Sequence, residues 1–255
     1  MKILNSLIIA FAMYSKIPMP RADWNKENMR YTMCFFPWVG AVIGLLFGIW
    51  GILGKQLPME NGLYTVILLL IPVLITGGIH LDGLLDTADA LSSYQSRERR
   101  LEILKDSNAG AFAVIVCVVY FVAYYGVLSE LDTAYIPVIA MGFFLSRALS
   151  GYAVAIFPCA KDSGLAATFS ESADKKRARI LLALQGILCA GIMMWFKLAA
   201  GIAAVGAALL CFLYYYQMSK KKFGGITGDL AGWFLQICEL CMTIAVVGVQ
   251  IVGNI

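Results

Sequence analysis

Long apolar runs recur along almost the whole chain, and they restrict its possible folds more than any other feature. Seven of these runs are long enough to cross about 30 Å of hydrocarbon as an α-helix, which rises about 1.5 Å per residue. They lie near residues 33–53, 62–82, 109–129, 133–157, 179–196, 198–216 and 231–253. Only 14% of the 255 residues are charged, against about 25% in a typical soluble domain. We therefore predict an all-α fold, a polytopic integral membrane helical bundle with about seven transmembrane helices, forming a single membrane domain over residues 1–255.

Basic residues are distributed unevenly over the connections between the predicted spans. Lys55 and Lys197 lie on one side and Arg147 lies inside a span, whereas all other Lys and Arg residues fall in connections on the opposite side. Because cytoplasmic loops of membrane proteins are enriched in Lys and Arg, this bias predicts a cytoplasmic N-terminus. The longer polar stretches, which all fall on that side, are 15–32, 83–108, 158–178 and 217–230. We expect a multi-pass protein of the cell (inner) membrane with its site on the cytoplasmic side, the lipid bilayer as a partner, and no nucleic acid.

The stretch GGIHLDGLLDTADAL, from Gly77 to Leu91, carries three aspartates at helical spacing. Asp82, Asp86 and Asp89 stand at i, i+4 and i+7, so a helix presents all three carboxylates on one face. Such carboxylates repel one another, and a hard cation such as Mg²⁺, which prefers oxygen ligands, relieves the repulsion. We therefore predict a Mg²⁺ site in which these three aspartates are metal ligands and catalytic residues. The alternative is a helix end that emerges into water with solvated aspartates.

The same stretch holds one glycine and one histidine of interest. Gly83 directly follows Asp82 and would let a ligand approach the backbone. His80, the single histidine of the chain, falls roughly on the helical face opposite the aspartates. This position favours a packed, hydrogen-bonded residue over a ligand.

A second polar stretch, LKDSNAG at residues 104–110, precedes the third predicted span. Residues 97–106 have the pattern of a short amphipathic helix near the membrane surface. In the functional interpretation, Lys105 and Ser107 contact a substrate phosphate, and Asp106 completes the metal shell. Alternatively, Asp106, Ser107 and Asn108 cap the membrane helix that follows.

A third stretch, FGGITGDLAG at residues 223–232, precedes the last predicted span. Its glycines suit a backbone that closely approaches an anion, at a helix N-terminus that favours negative charge. The residues that we predict to contact substrate are Gly224, Gly225, Thr227 and Asp229. The loop falls on the same side of the membrane as the three aspartates, which favours this interpretation. The alternative is a flexible turn with Asp229 as the helix N-cap.

Two charged residues, Arg147 and Glu239, lie inside predicted spans. Charged side chains there are costly, and they usually face the bundle interior or form pairs. One interpretation has Arg147 reach a substrate phosphate near the cytoplasmic side by snorkelling. The other is a structural ion pair between Arg147 and Glu239. The sequence does not decide between them.

Together these motifs resemble a known family. GGIHLDGLLDTADAL, KDSNAGAF and GGITGDLAG, with KIPMP at Lys16–Pro20 and FFPWVG at Phe35–Gly40, are similar to the cobalamin synthases, the adenosylcobinamide-GDP ribazoletransferases. The resemblance runs from about residue 11 to residue 235. It implies a Mg²⁺-dependent membrane transferase that joins adenosylcobinamide-GDP to α-ribazole or α-ribazole 5′-phosphate and releases GMP. The product would be adenosylcobalamin or its 5′-phosphate, late in the assembly of the cobalamin nucleotide loop.

The resemblance also implies roles for individual residues and shows two departures. The family's motifs fall on Asp82, Asp86 and Asp89, on Lys105, Asp106 and Ser107, and on Thr227 to Asp229. Where we expect Pro-x-Ala-Arg after the fourth span, the chain has Pro158 to Lys161. A lysine is a point charge rather than a bidentate fork, so Lys161 is not among the residues that we predict to contact substrate. Asn108 also stands where we expect an arginine.

Two other functions fit part of this pattern. A Mg²⁺-dependent membrane phosphotransferase of the CDP-alcohol type also has aspartates at helical spacing, but an Ala-Arg pair where this chain has Leu84 and Leu85. A cation-coupled transporter needs polar access from both sides of the membrane, whereas the polar stretches here gather on one side. The sequence leaves the oligomeric state open, a homo-oligomer included.

Overall fold

The computed structural model describes residues 2–106, 108–161 and 164–253, and within them the chain forms helices and no β-strand. The helices are α1 (Lys2–Tyr14), α2 (Lys26–Met29), α3 (Thr32–Leu53), α4 (Asn61–Thr76), α5 (Ile79–Ser92), α6 (Arg97–Ile103), α7 (Ala111–Ser129), α8 (Ile136–Ile156), α9 (Leu165–Ser172), α10 (Lys175–Phe196), α11 (Leu198–Met218) and α12 (Gly228–Gly253). Short 3₁₀ turns follow α3 and precede α8, and a π turn at residues 219–223 continues α11.

The helices have the lengths and apolar surfaces of membrane crossings. Among the described residues, six helices are each long and apolar enough to cross, and α4 with α5 qualifies as a seventh only when the two are counted together. The six are α3, α7, α8, α10, α11 and α12. Large apolar side chains such as Val122, Ile187 and Leu210 face outward, where a lipid bilayer would surround them. The predicted polytopic helical membrane bundle is therefore confirmed.

The second predicted span, 62–82, is wrong at its end, because the helix stops at Thr76 and α5 follows at an angle of 93°. Gly77 and Gly78 break the helix. Both adopt the left-handed backbone region, with φ of +65° and +81°, which glycine adopts without strain. Their amides both donate hydrogen bonds to the Val73 carbonyl oxygen and close the end of α4. Because of this turn, α5 runs across the direction of α4 and does not continue it as one straight helix.

Elsewhere the helices agree with the predicted elements to within a few residues. α10 begins at Lys175 rather than residue 179, and α12 begins at Gly228 rather than residue 231. These polar first turns extend beyond the apolar runs, so hydropathy alone does not detect them. The predicted amphipathic segment 97–106 corresponds to α6, which ends earlier, at Ile103. α1 precedes the first predicted span.

α8 packs against α3, α10 and α12 and is central to the bundle. Its contact with α3 is close because α3 has glycines on that face. A Cβ at Gly40 or Gly44 would overlap the α8 backbone at Phe143 or Ala140. α3 and α8 therefore approach each other as only small residues allow.

The polar connections meet at one end of the bundle, which we call the basic end (the described residues of 15–31, 77–106, 108–110, 157–161, 164–174 and 219–227). Ile226 donates a backbone hydrogen bond to Pro158, at 2.8 Å, and accepts one from Ala160, at 2.9 Å. The Lys161 Nζ atom donates to the Leu101 carbonyl oxygen at 2.8 Å. Segments far apart in the chain are thus linked at the basic end.

Candidate active site

The three aspartates of α5 lie at the basic end, and α12 adds a fourth carboxylate, Asp229. The two helices cross closely because each has a glycine at the contact. A Cβ at Gly83 would lie 2.5 Å from the Asp229 carbonyl oxygen and 3.1 Å from the Gly232 Cα atom. Gly83 therefore allows this close helix crossing. The backbone of α12 fills the space beside it, so a ligand cannot approach the backbone there, contrary to the prediction from the sequence.

The other three carboxylates lie close enough to Asp86 to affect its ionisation. Burial raises the pKa of Asp86 to about 6, and the charges of Asp82, Asp229 and Asp89 add to this effect. Asp82 is exposed and the other three are partly exposed, so the cluster borders on water. At neutral pH the cluster carries a concentrated negative charge that a cation would relieve.

The chemistry of this cluster suits Mg²⁺, which prefers oxygen ligands and keeps several waters while binding one or two carboxylates. Within residues 2–106, 108–161 and 164–253, no group of three or more Asp, Glu, His or Cys side chains is arranged to hold a metal on its own. A metal here would accordingly be held by few carboxylates and by its waters. Asp82 and Asp229, which line the same cavity, are the side chains best placed to do so.

Asp89 has a structural role that the sequence does not reveal. Its carboxylate accepts hydrogen bonds from the amides of Gly110 and Ala113, the latter at 2.8 Å. It thereby caps the N-terminus of α7, whose own N-cap residue, Gly110, has no side chain to do this. Asp89 thus ties α5 to α7, and both of its carboxylate oxygens are engaged.

Asp106 lies outside the acidic cluster. Its Oδ1 atom accepts hydrogen bonds from the Asn108 backbone amide, at 3.0 Å, and side-chain amide, at 2.9 Å. These hydrogen bonds lower the pKa of Asp106. The structure therefore does not bring Asp106 to the predicted metal shell, nor do Asp106 and Asn108 cap α7. Ser107 lies outside the described residues.

Two lysines stand beside the acidic cluster. Burial and the charge of Lys105 lower the pKa of Lys161, whereas the neighbouring Asp229 carboxylate raises it. Lys105 is exposed, and Lys161 is partly buried against α6. The Lys161 ammonium group thus lies near Asp229, and Lys105 lies near Lys161, so phosphate groups at the cluster would meet positive charge on this side. The sequence alone does not place Lys161 in the site, because the nearness of Lys161 to Asp229 depends on contacts between loops that no local pattern reveals.

The glycine-rich loop is closed by its own backbone. Gly224, with φ +76°, and Gly225 donate their amides to the carbonyl oxygens of Lys220 and Ser219, at 3.2 and 3.1 Å. These amides are therefore not free to hold an anion, in contrast to the prediction for both glycines. The Arg97 guanidinium occupies the space where a side chain at position 224 would stand, so the glycine allows α6 to pack on this loop.

Thr227 caps the start of α12 and orients Asp229. Its Oγ1 atom accepts a hydrogen bond from the Leu230 amide at 3.2 Å and donates one to the Asp229 Oδ2 atom at 3.3 Å. The alternative with Asp229 as N-cap is therefore wrong, and Asp229 belongs to the first turn. The positive end of the α12 dipole favours a carboxylate at this position.

Arg147 forms the ion pair that was one of its two predicted roles. Its Nη1 atom lies 2.7 Å from the Glu239 Oε1 atom, and both side chains are buried in the bundle. The same Nη1 atom donates to the Phe143 carbonyl oxygen at 2.9 Å. This placement disagrees with an arginine that snorkels to a substrate phosphate, because the side chain is fully buried and its Nη1 atom is paired with a buried carboxylate.

A cavity of about 270 Å³ adjoins the acidic cluster. Asp82 and Asp229 line one part of it, and the buried side chains of Phe36, His80 and Phe169 line another. His80 is only 4% exposed, and its Nε2 atom has no hydrogen-bond partner among the described residues. His80 is thus packed, as predicted, but this nitrogen is not hydrogen-bonded. These rings come from α3, α5 and α9, and only the fold brings them together.

Burial holds the pKa of His80 well below its usual range, and the positive charge of Arg147 lowers it further. The imidazole is therefore neutral at physiological pH, with one nitrogen able to donate a hydrogen bond and the other able to accept one.

Comparison with known proteins gives a consistent result over nearly the whole chain. The family model described as cobalamin-5-phosphate synthase matches residues 6–247. The chain belongs to the cobalamin-5-phosphate synthase family.

A relative from Lachnoclostridium phytofermentans is 48% identical over 100% of this chain and 98% of its own length, and it is named adenosylcobinamide-GDP ribazoletransferase. A relative from Clostridium botulinum with the same name is 32% identical over 93% of this chain and 95% of its own length. As a cobalamin-5-phosphate synthase family member, the chain is a multi-pass membrane transferase of cobalamin biosynthesis. No solved structure matches it.

Proposed function

We propose that this enzyme joins adenosylcobinamide-GDP to α-ribazole or α-ribazole 5′-phosphate, releasing GMP and forming adenosylcobalamin or its 5′-phosphate. The observation that carries the proposal is the cluster of four carboxylates, with Lys161 beside Asp229 and Lys105 next to Lys161. It lies at the polar end of a chain that is 48% identical, over its whole length, to a protein named for this transfer. Acidic and basic groups side by side are what a diphosphate reaction needs.

The reaction we propose is a substitution at phosphorus. A ribose hydroxyl oxygen of ribazole forms a bond to the cobinamide-side phosphorus of the diphosphate. The bond from that phosphorus to the bridging oxygen breaks, and GMP leaves with the electron pair. The hydroxyl proton passes to a carboxylate. We assign this base role to Asp86, because a carboxyl with a pKa of about 6 is mostly ionised at pH 7 yet a better proton acceptor than an ordinary aspartate.

The other residues of the cluster bind and orient. Bound Mg²⁺ would supply charge neutralisation at the phosphates, and Asp82 and Asp229 are the ligands we propose for it. The Thr227 hydroxyl holds the Asp229 carboxylate in place. Lys105 and Lys161 would bind phosphate oxygens as point charges.

We further propose that the basic end faces the cytoplasm of the cell (inner) membrane. The support is the bias of Lys and Arg residues toward the connections at this end. An acidic cluster on that face would be open to soluble, charged substrates made in the cytoplasm.

Transfer in reconstituted liposomes tests the proposal. We expect purified protein supplied with adenosylcobinamide-GDP, α-ribazole 5′-phosphate and Mg²⁺ to release GMP and form a corrinoid product in equal amounts. A parallel reaction with α-ribazole decides which acceptor is used. Absence of both products with every divalent metal tried would remove the proposed activity.

The Asp82→Asn variant tests the acidic cluster. We expect it to lose at least about a hundredfold in turnover, as loss of one group in a charge-stabilising site does, while it still inserts and folds. The matched control is Asp132→Asn, since Asp132 lies before α8, away from the basic end. Turnover near wild type in Asp82→Asn would take Asp82 out of the metal site.

A further inference from the structure

The cavity beside the acidic cluster has an aromatic part that the transfer chemistry above does not use. The ring centroids of Tyr14 and Phe36 are 4.2 Å apart, and that of His80 lies 5.8 Å from Phe36. Phe169 lies 6.0 Å from Tyr14, measured between ring centroids. Four rings from four different helices thus surround one space, and flat aromatic groups pack well against such rings.

The size of the cavity restricts what can enter it. Its volume of about 270 Å³ lies just below the range of about 300–1,000 Å³ that is usual for whole drug-sized ligands. It is large enough for a two-ring aromatic base and too small for a corrin macrocycle. The corrinoid donor must therefore bind elsewhere, with only its diphosphate near the cluster.

The polar atoms of the cavity restrict the ligand further. His80 is buried, yet its Nε2 atom lacks a hydrogen-bond partner among the described residues. A buried polar atom without a partner is costly and uncommon in folded proteins. Because His80 lines the cavity, a ligand with one hydrogen-bonding ring nitrogen and an otherwise apolar surface would match its imidazole and the surrounding rings.

We propose that this cavity binds the base of the acceptor nucleoside, with the His80 imidazole hydrogen-bonded to the ring nitrogen that does not carry the ribose. The base of ribazole is a dimethylated benzimidazole, which is flat, largely apolar, and has one such nitrogen. This assignment rests on the proposed function for the identity of the acceptor.

The two ends of the cavity then fix the orientation of the acceptor. The base lies among Phe36, His80 and Phe169, and the ribose lies toward Asp82 and Asp229, where the cavity reaches exposed residues. This places the ribose hydroxyls at the acidic cluster. The cavity therefore positions the nucleophile, and His80 is a positioning residue for the base rather than a catalytic residue.

Filling the cavity tests the proposal. Val154 lines it from α8 and is 7% exposed, so Val154→Phe should occupy the space of the base. We expect the KM for α-ribazole 5′-phosphate to rise at least about tenfold, with the KM for adenosylcobinamide-GDP unchanged. The matched control, Val122→Phe, makes the same change on the outer surface of α7 and should leave both constants at wild-type values.

A pair of variants at His80 tests the hydrogen bond without adding bulk. His80→Phe keeps a ring but removes both nitrogens, and we expect about a tenfold higher KM for the acceptor with little change in kcat. His80→Gln, which can still donate and accept, should recover part of the loss. If Val154→Phe fails to fold, as judged by its melting temperature, this pair decides the question.

Binding without turnover separates this inference from the proposed function. We expect α-ribazole to bind the wild-type protein in the absence of the corrinoid, as measured by equilibrium dialysis, and to bind His80→Phe about tenfold more weakly. If the wild type makes product while Val154→Phe and His80→Phe retain its acceptor KM, the cavity is not the base site. If the wild type makes no product, the proposed function fails. The cavity assignment then fails as well if His80→Phe binds α-ribazole as tightly as the wild type does.

Discussion

Asp89 accepts two backbone hydrogen bonds from the first turn of α7, whereas Asp82 and Asp86, on the same face of α5, lie near Asp229. Side chains of one type at regular spacing thus have different environments. The difference arises because α5 is flanked by α7 on one side and α12 on the other. At the residue scale, the role of each carboxylate depends on the groups that its side chain contacts and not on its position in the sequence pattern.

Removing the Asp89 carboxylate should loosen α7. We expect Asp89→Ala to lower the free energy of unfolding by about 1 kcal/mol, because a helix cap is lost, with Asp89→Asn retaining much of the wild-type stability. Thermal unfolding in detergent measures this. Asp132 accepts from the Ala134 amide before α8, so Asp132→Ala serves as a capping control away from the acidic cluster. A melting temperature of Asp89→Ala equal to wild type would contradict the capping role.

The raised pKa of Asp86 predicts a pH dependence of stability in metal-free protein. In the folded state this pKa is about 6, above its usual value of 3.8, so the folded protein binds a proton more readily than the unfolded chain. The folded state therefore gains stability as the pH falls through 6, and loses it as the pH rises. After allowance for solvent screening of this partly exposed side chain, we expect a gain of about 0.5 kcal/mol between pH 7.5 and pH 5.5, or about 1–2 °C in Tm.

Thermal unfolding at pH 7.5 and pH 5.5 with a chelator present measures the effect. Asp86→Asn, which cannot titrate, should show a smaller gain in Tm between the two pH values than the wild type. Equal pH dependence in both proteins would show that the acidic cluster does not set the pKa of Asp86 in this way.

At the scale of elements, two glycine contacts determine where α5 lies. Gly77 and Gly78 end α4 and allow the 93° turn, and the Lys16 side chain packs over Gly77. Gly83 then allows α5 to cross α12 closely enough to bring Asp229 to the other carboxylates. The acidic cluster is therefore a product of one helix break and one helix crossing.

A methyl group at the crossing should separate the two helices. In Gly83→Ala the added Cβ would lie 2.5 Å from the Asp229 carbonyl oxygen, so backbone must move, at a typical cost of about 1–3 kcal/mol. We expect lower stability and at least about tenfold lower turnover, measured by thermal unfolding and GMP release. Gly126→Ala, where nothing lies within 4 Å of the new Cβ, is the matched control. Wild-type turnover in Gly83→Ala would contradict the need for close crossing.

At the scale of the whole molecule, the polar connections meet at one end, and the buried ion pair of Arg147 with Glu239 joins α8 to α12 within the bundle. This division gives the protein one polar end, where the acidic cluster lies, and a largely apolar body. Such a division is what we expect of a membrane enzyme that binds its substrates from one side of the membrane.

The orientation of the bundle can be tested by labelling single cysteines. Gln95 is exposed at the basic end, and Gln56 is exposed in the connection after α3, on the other side. In a variant without the native cysteines, we expect a membrane-impermeant maleimide to label Gln56→Cys in intact spheroplasts. Gln95→Cys should react only after permeabilisation, because basic connections stay in the cytoplasm. The reverse pattern would place the acidic cluster outside the cell.

The sequence by itself determined the fold class, the approximate helices and the family. Apolar runs have to become helices in a membrane because backbone groups find no water there, and the spacing of Asp82, Asp86 and Asp89 sets their shared face whatever surrounds it. It did not determine that Asp89 caps α7, that Asp229 joins the cluster while Asp106 does not, or that the amides of Gly224 and Gly225 are already used. Those outcomes depend on contacts between segments far apart in the chain. Only the tertiary structure decided them, because a side chain's partner is set by packing distance and not by local pattern.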